Sequence, residues 1–170
     1  MARRSAYRAA LDLLARRDHF RRELAEKLRL RDYPDDEIEA ALDRCREIGL
    51  IDDERVGTRF VEVRAASRGW GPHRLAAELR QRGVAFELAE ELAKLDPRLL
   101  DEALQAALRR LEVRAPEAWW EDSQRRARMI SSLIARGFAA DDAHAAVAAL
   151  ATERNNDAPD DQPRDSSSLS

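Results

Sequence analysis

Pro72-His73-Arg74-Leu75-Ala76-Ala77-Glu78-Leu79-Arg80-Gln81-Arg82-Gly83-Val84 is the stretch that decides the fold. Pro72 suits the first position of a helix, where an N–H would have no intrahelical partner. Leu75 and Leu79 stand one turn apart on a single face. Gly83 supplies the left-handed residue that stops the helix. The pattern occurs twice more without a gap. Leu75, Leu79, Gly83, Val84, Ala89 and Ala93 align with Leu24, Leu28, Asp32, Tyr33, Ile38 and Leu42, and with Met129, Leu133, Gly137, Phe138, Ala143 and Val147. The spacing is 4, 4, 1, 5 and 4 residues each time, at offsets of 51 and 54. Arg31, Arg82 and Arg136 share one slot, and the helix-stopping slot holds Asp32, Gly83 and Gly137. Asp tolerates the left-handed conformation better than most residues.

Each aligned segment follows another amphipathic helix, so the unit is three helices repeated three times. Tyr7, Leu11 and Leu14 mark the first helix, and Ile38, Leu42, Cys45 and Ile48 the third. Asp52 caps a fourth, whose stripe Val56, Phe60 and Val63 reads as its inward face. Leu88, Leu92 and Leu95 follow, then Asp96-Pro97 opens a helix carrying Leu100, Leu104, Leu108 and Leu111. Nine helices are expected. Residues 1–50 form repeat one, 51–96 repeat two and 97–151 repeat three. Residues 152–170, rich in Asn, Asp, Pro and Ser, read as a disordered tail that adds nothing to a core. Ala, Leu, Arg and Glu dominate the 170 residues, and all four favour helix. The expected fold is therefore all-α: three tandem three-helix repeats in an elongated, curved array. One unit of about 50 residues buries little core alone, whereas stacked units bury more and expose an extended surface.

Composition narrows the function classes. Cys45 is the only cysteine, so no internal disulfide forms, and its place on an apolar stripe makes it a core residue. The basic start, Met1 to Ser5, lacks the apolar segment of a signal peptide. No run of roughly 18 apolar residues could cross a membrane. The cytoplasm is the expected compartment. His19, His73 and His144 are scattered and, with one Cys, complete no zinc site. Asp52-Asp53-Glu54 is explained by a helix start, where carboxylates complement the dipole. Gly69-Trp70-Gly71 follows no strand and precedes no Lys-Ser/Thr, so it is no phosphate loop. Trp70, Trp119 and Trp120 could stack on bases or cover helix junctions, and the second reading weighs at least equally. No catalytic residue, cofactor or metal is expected.

Charge carries the functional signal. The formal net charge of −3 conceals blocks: residues 1–31 are net +6, 32–54 net −8, 55–82 net +5 and 83–97 net −3. Arg55, Arg59, Arg64, Arg68, Arg74, Arg80 and Arg82 crowd the first two helices of repeat two, and Arg125, Arg126 and Arg128 those of repeat three. Arginine suits bidentate pairing with carboxylate or phosphate. Apart from Arg80, these are the candidate partner contacts. A DNA-reading role for the third helix of repeat one is disfavoured, because Asp35, Asp36, Glu37, Glu39, Asp43 and Glu47 would face phosphates.

These residues resemble a known family. Arg17-Asp18-His19 with Arg22-Glu23-Leu24 and Lys27-Leu28 resembles the start of the RecX family of recombinase regulators. Gly49-Leu50-Ile51-Asp52-Asp53-Glu54-Arg55 with Phe60-Val61, and Arg68-Gly69-Trp70-Gly71-Pro72 with Glu78-Leu79 and Arg82-Gly83-Val84, are similar to its central signatures. Arg136-Gly137-Phe138 looks like its closing motif, so the resemblance covers about residues 5–150. It implies three tandem three-helix repeats and a non-enzymatic protein. It also implies binding along the groove of the RecA filament, limiting its growth, ATP hydrolysis and strand exchange. The expected partners are that filament and single-stranded DNA, met by a monomer. The rival readings are a helical DNA-binding regulator acting without RecA and a scaffold that binds only protein. Two positions depart from the family pattern. Phe20 replaces the Ser that would cap a helix with Glu23, and Val56-Gly57 replaces an aromatic-small pair. Gly57 inside a helix costs about 1 kcal/mol against Ala.

The repeated position of Leu79 predicts burial between helices. Leu79→Ala should cost roughly 2–5 kcal/mol in urea unfolding; a change under about 0.5 kcal/mol would place Leu79 on the surface.

Overall fold

The computed structural model describes residues 5–157, which form nine α-helices and no strand. Repeat one holds α1 (Ala6–Leu14), α2 (Arg21–Arg29) and α3 (Asp35–Glu47). Repeat two holds α4 (Asp53–Arg68), α5 (Pro72–Gln81) and α6 (Phe86–Leu92). Repeat three holds α7 (Pro97–Glu112), α8 (Ser123–Ala135) and α9 (Ala140–Asp157). Short polar side chains start several of them: Ser5, Asp52, Asp96 and Asp122 each accept backbone N–H groups of the following first turn. The helix-stopping slots are left-handed, with φ of 60° at Asp32, 87° at Gly83 and 92° at Gly137.

Two hydrophobic cores support the array. Repeat one has its own, built from Leu24, Leu28, Ile38, Leu42 and Cys45, with Ala9 and Ala10 of α1 packed on α3. Repeats two and three share the other, which includes Leu75, Leu79, Ala103, Ala107, Leu133 and Phe138. The sharing arises because α7 packs closely along α4. Among the described residues Phe20 is the one buried residue of repeat one in the shared core, and its ring meets Phe60 edge-on at 6.3 Å.

Phe20 occupies the N-cap of α2 without a capping side chain. Asp53, on α4, supplies the missing acceptor: its Oδ1 takes the Arg21 N–H at 2.8 Å. Burial pushes the Asp53 carboxyl above its ordinary range despite the Arg21 amide. The departure at residue 20 therefore exchanges an internal cap for one that ties two repeats together. Gly57 also has a structural reason. A Cβ there would lie 2.6 Å from Leu92 Cδ1, so the bare backbone lets α6 lie against α4.

Two expectations need correction. The inward face of α4 is Gly57, Val61 and Ala65, whereas Val63 is 51% exposed and Val56 and Phe60 are only half-buried. The helix is turned by about one residue, 100°, from the expected stripe. Helix α9 continues to Asp157, past Thr152, into the stretch read as tail. Arg154 explains the extension, because it grips Glu112 of α7 with two hydrogen bonds of 2.5 and 3.1 Å. The rest of the expected tail, 158–170, lies outside the described residues.

The repeats are joined by close backbone approach. Gly71 N–H donates to the Arg136 carbonyl at 2.8 Å, and His73 N–H to the Gly137 carbonyl at 3.1 Å. A Cβ on Gly71 would stand 2.5 Å from the carbonyl carbon and oxygen of Gly137. Backbone cannot rotate aside, so Gly71→Ala should lower stability by about 1–3 kcal/mol. Gly57→Ala should stay within about 1 kcal/mol of wild type, since it gains helix propensity and displaces only the end of a leucine. Chemical denaturation of both variants checks this, and equal stabilities would sink it.

His19, in the loop before α2, is 3% exposed, with Nδ1 3.2 Å from Glu23 Oε2. Burial holds its pKa below the ordinary 6.5, and Arg17 and Lys27 add to the effect against Glu23. Burial pushes Glu23 upward, but hydrogen bonds from Arg17 and His19 outweigh it and hold that carboxyl below 4.5. Below about pH 6.5 the unfolded chain takes up the histidine proton first, so stability should fall on acidification from there. Glu23 should add a further loss below about pH 4.5. Thermal melts across pH 7 to 5 should show the first decline, and His19→Gln should flatten it. An unchanged slope in that variant would remove His19 as the cause.

Candidate partner-binding surface

Repeat one neutralises its own charge. Arg21 reaches Glu39 at 2.6 Å and Asp43 at 3.2 Å, and Arg29 reaches Asp35 at 2.8 Å. Arg22 pairs with Glu26 at 3.0 Å and Lys27 with Glu23 at 3.5 Å. Arg21 and Arg29 of α2 thus pair across to α3, and three of the acids that disfavoured groove reading, Asp35, Glu39 and Asp43, have an internal use.

Repeat two leaves more of its arginines free. Arg80 pairs with Glu90 at 2.8 Å and Arg82 with Glu78 at 2.6 Å. Arg55 lies 4.0 Å from Asp18, at the limit of an ion pair. Among the described residues no carboxylate pairs with Arg59, Arg64, Arg68 or Arg74. Aromatic rings position several of these side chains instead. The Arg64 guanidinium sits 5.4 Å from the Phe60 centroid and 5.6 Å from that of Trp70, Arg74 lies 4.4 Å over Trp70, and Arg82 4.6 Å over Phe60. Such stacking holds a guanidinium in place while leaving its edge donors available.

The structure divides the sequence candidates. Arg59, Arg64 and Arg82 line a cleft of about 1100 Å³ between repeats one and two. Its apolar side is Phe20, Val56, Phe60 and Val63, which explains why the stripe expected to face inward is partly open. Arg16 and Arg17 line it too and were missed by sequence reasoning. The signal for them was the net +6 block over residues 1–31. Arg68 and Arg74 lie instead toward repeat three. There Arg136 donates to the Arg68 carbonyl at 3.2 Å and Arg110 to the Ser67 carbonyl at 2.6 Å. Arg125 and Arg126 serve the start of α8: Arg125 meets Asp122 at 3.1 Å, and Arg126 donates to the Trp120 carbonyl. Arg128 is exposed on the same helix.

The other candidates have structural uses. Trp119 is buried and meets Trp120 edge-on at 6.2 Å, while Trp70 packs against Phe60 beneath two arginines. Junction cover is thus their role in this fold. Cys45 is fully buried, and burial pushes its thiol upward, away from a reactive thiolate. No group of three or more His, Cys, Asp or Glu side chains among the described residues could hold a metal ion. No helix among them is long and apolar enough to cross a membrane.

Comparison with known proteins agrees with this architecture. Residues 6–45 match the family description "RecX, first three-helix domain", and residues 52–92 match "RecX, second three-helix domain". Regulatory protein RecX of Halorhodospira halophila is 42% identical over 144 residues, covering 83% of this chain and 85% of the relative. Regulatory protein RecX of Pseudomonas entomophila is 38% identical over 139 residues, covering 77% and 82%. The crystal structure of RecX from Lactobacillus salivarius superposes with a TM-score of 0.70 at 23% identity, over 89% of this chain and 95% of that one, a likeness of fold. Identity of this extent, carried by a repeat whose helix stops, joints and cores are all in place, makes the chain a member of the RecX family of regulatory proteins.

Proposed function

We propose that this protein docks along a RecA–single-stranded-DNA filament and restrains it, limiting its extension, ATP hydrolysis and strand exchange. Membership of the RecX family over most of the chain carries the reading. The geometry suits it. A curved array of repeats presents an extended face to a helical partner. On that face the cleft between repeats one and two combines an apolar side with Arg16, Arg59 and Arg64, which have no carboxylate partner among the described residues. A filament offers both acidic protein surface and phosphate to such groups. In this reading the protein acts by binding alone, as a monomer.

A second reading, a helical DNA-binding regulator acting without RecA, draws support from the unpaired arginines at the repeat two–three junction. Mixing the protein with DNA alone, with RecA alone and with both separates the two, and the filament reading expects the tightest binding to the complex. The decisive measurement is DNA-dependent ATP hydrolysis by RecA. Substoichiometric protein should lower it, and unchanged hydrolysis at saturating protein would refute the filament reading.

A further inference from the structure

The end of α4, the start of α5, the end of α7 and the end of α8 converge at the junction of repeats two and three. Each brings arginine: Arg68 from α4, Arg74 from α5, Arg110 and Arg114 from α7 and the residues after it, and Arg136 from the end of α8. None of the five has a carboxylate partner among the described residues. The nearby Glu112 is committed to Arg154 and Glu78 to Arg82. Burial, and then repulsion from Arg110, Arg74 and Arg114, hold the Arg136 pKa below the ordinary arginine value. Acidic residues outnumber basic ones, 33 to 30, yet among the described residues this junction pairs with none of them.

The guanidiniums of Arg74, Arg110 and Arg136 are also held in place. Arg110 donates to the Ser67 carbonyl at 2.6 Å and Arg136 to the Arg68 carbonyl at 3.2 Å, both at the C-terminal end of α4. Arg74 lies 4.4 Å over the Trp70 ring, and its backbone closely abuts Gly137. The negative end of the α4 dipole offsets part of the repulsion. A guanidinium carries five N–H donors, so these contacts leave most of them unused. Preorganised donors of one sign favour a polyanion.

We propose that Arg74, Arg110, Arg114 and Arg136 form a binding site for the phosphates of a nucleic-acid strand. A single carboxylate would neutralise one of the four, whereas successive phosphodiesters carry a charge at every residue of the strand and release counterions as they bind. The proposal deepens the filament reading, because it says which surface meets the DNA rather than the recombinase, and it rests on that reading for its setting.

The test uses the full-length protein and a fluorescein-labelled oligo(dT), with anisotropy read over a salt series. Arg74→Gln with Arg114→Gln removes two cations that make no backbone hydrogen bond through their side chains. Binding should weaken at least tenfold, and the slope of log K against log salt should flatten by about 1.4, or about 0.7 for each phosphate contact on a single strand. The comparison pair is Arg22→Gln with Arg29→Gln, whose arginines are matched by Glu26 and Asp35; it should bind within twofold of wild type. Circular dichroism monitors folding. If the first pair does not fold, Arg114→Gln alone should flatten the slope by about 0.7. Equal weakening in both pairs, or none in the first, overturns the proposal. So does a wild-type protein that binds polyglutamate and not oligo(dT), since the site would then recognise carboxylates. RecA hydrolysis measured in parallel separates the two claims. If wild type inhibits hydrolysis while the first pair binds oligo(dT) normally, only this proposal fails. If oligo(dT) binding depends on the cluster but hydrolysis is untouched, only the filament reading fails.

Discussion

The hydrogen bond from Gly71 N–H to the Arg136 carbonyl, with the contact of Gly71 on Gly137 around it, is the constraint on which the rest of the array depends. It joins the start of α5 to the end of α8 at backbone distance, and only residues without a side chain allow that approach. A looser contact occurs one repeat earlier, where a Cβ on Gly83 would meet the Arg22 side chain, its Cβ at 2.6 Å, rather than backbone. In both cases the residue that stops the second helix of one repeat presses on the start of the second helix in the repeat before it. Glycine is required twice over there, by its positive φ and by its neighbour. Asp32 fills the equivalent slot in repeat one, where it too adopts a positive φ, of 60°. Joints of this kind fix the rotation between repeats, and that rotation decides which arginines converge.

The two joints are not equally tight. Repeats two and three share a core because α7 lies along α4, so they behave as one packed body. Repeat one closes around its own leucines and reaches the shared core through Phe20 alone among its buried residues. That joint is completed by Asp53 accepting the Arg21 N–H across 32 positions of sequence. The cleft lies beside this lighter joint, near His19, whose pKa burial holds below its ordinary value. Among the arginines that line the cleft, Arg59 and Arg64 stand on α4 beside the aromatic pair Phe60 and Trp70, while Arg16 and Arg17 stand in the turn after α1.

The helices and their repetition were legible in the sequence because leucines one turn apart and helix-stopping residues recur at fixed spacing. The inward face of α4 was not. Its core-facing residues, Gly57, Val61 and Ala65, include two small ones that carry little weight in an apolar stripe, while Val56, Phe60 and Val63 stand out by size yet line the cleft. Helix α1 shows the same bias: Ala6, Ala9 and Ala10 are buried, whereas Tyr7, Leu11 and Leu14 are only half-covered. Close helix packing selects small residues, and a search for large ones overlooks them. The extension of α9 was hidden for another reason. Arg154 has no meaning as a helix-holding residue until α7 brings Glu112 beside it from 42 positions away.

The arginines divide by the same logic. Within one helix a basic block is visible in the sequence, but its fate depends on which acidic helix faces it. In repeat one, α3 faces α2, and its acids take up Arg21 and Arg29 by pairing. In repeat two the acids of α6 reach Arg80, but none extends to the end of α4. There, among the described residues, the negative partners are the last carbonyls of the helix itself, each a partial charge against a full one. Arg110 and Arg136 take those carbonyls from across the junction, so the same contacts that close the joint gather cations that repel one another. Stability alone would favour a carboxylate at this place, because an unneutralised cluster costs free energy in the isolated protein. The cluster persists at the one position where α4, α5, α7 and α8 all meet, and an incoming polyanion would convert its internal repulsion into attraction. Binding there would relieve a strain that folding leaves in place.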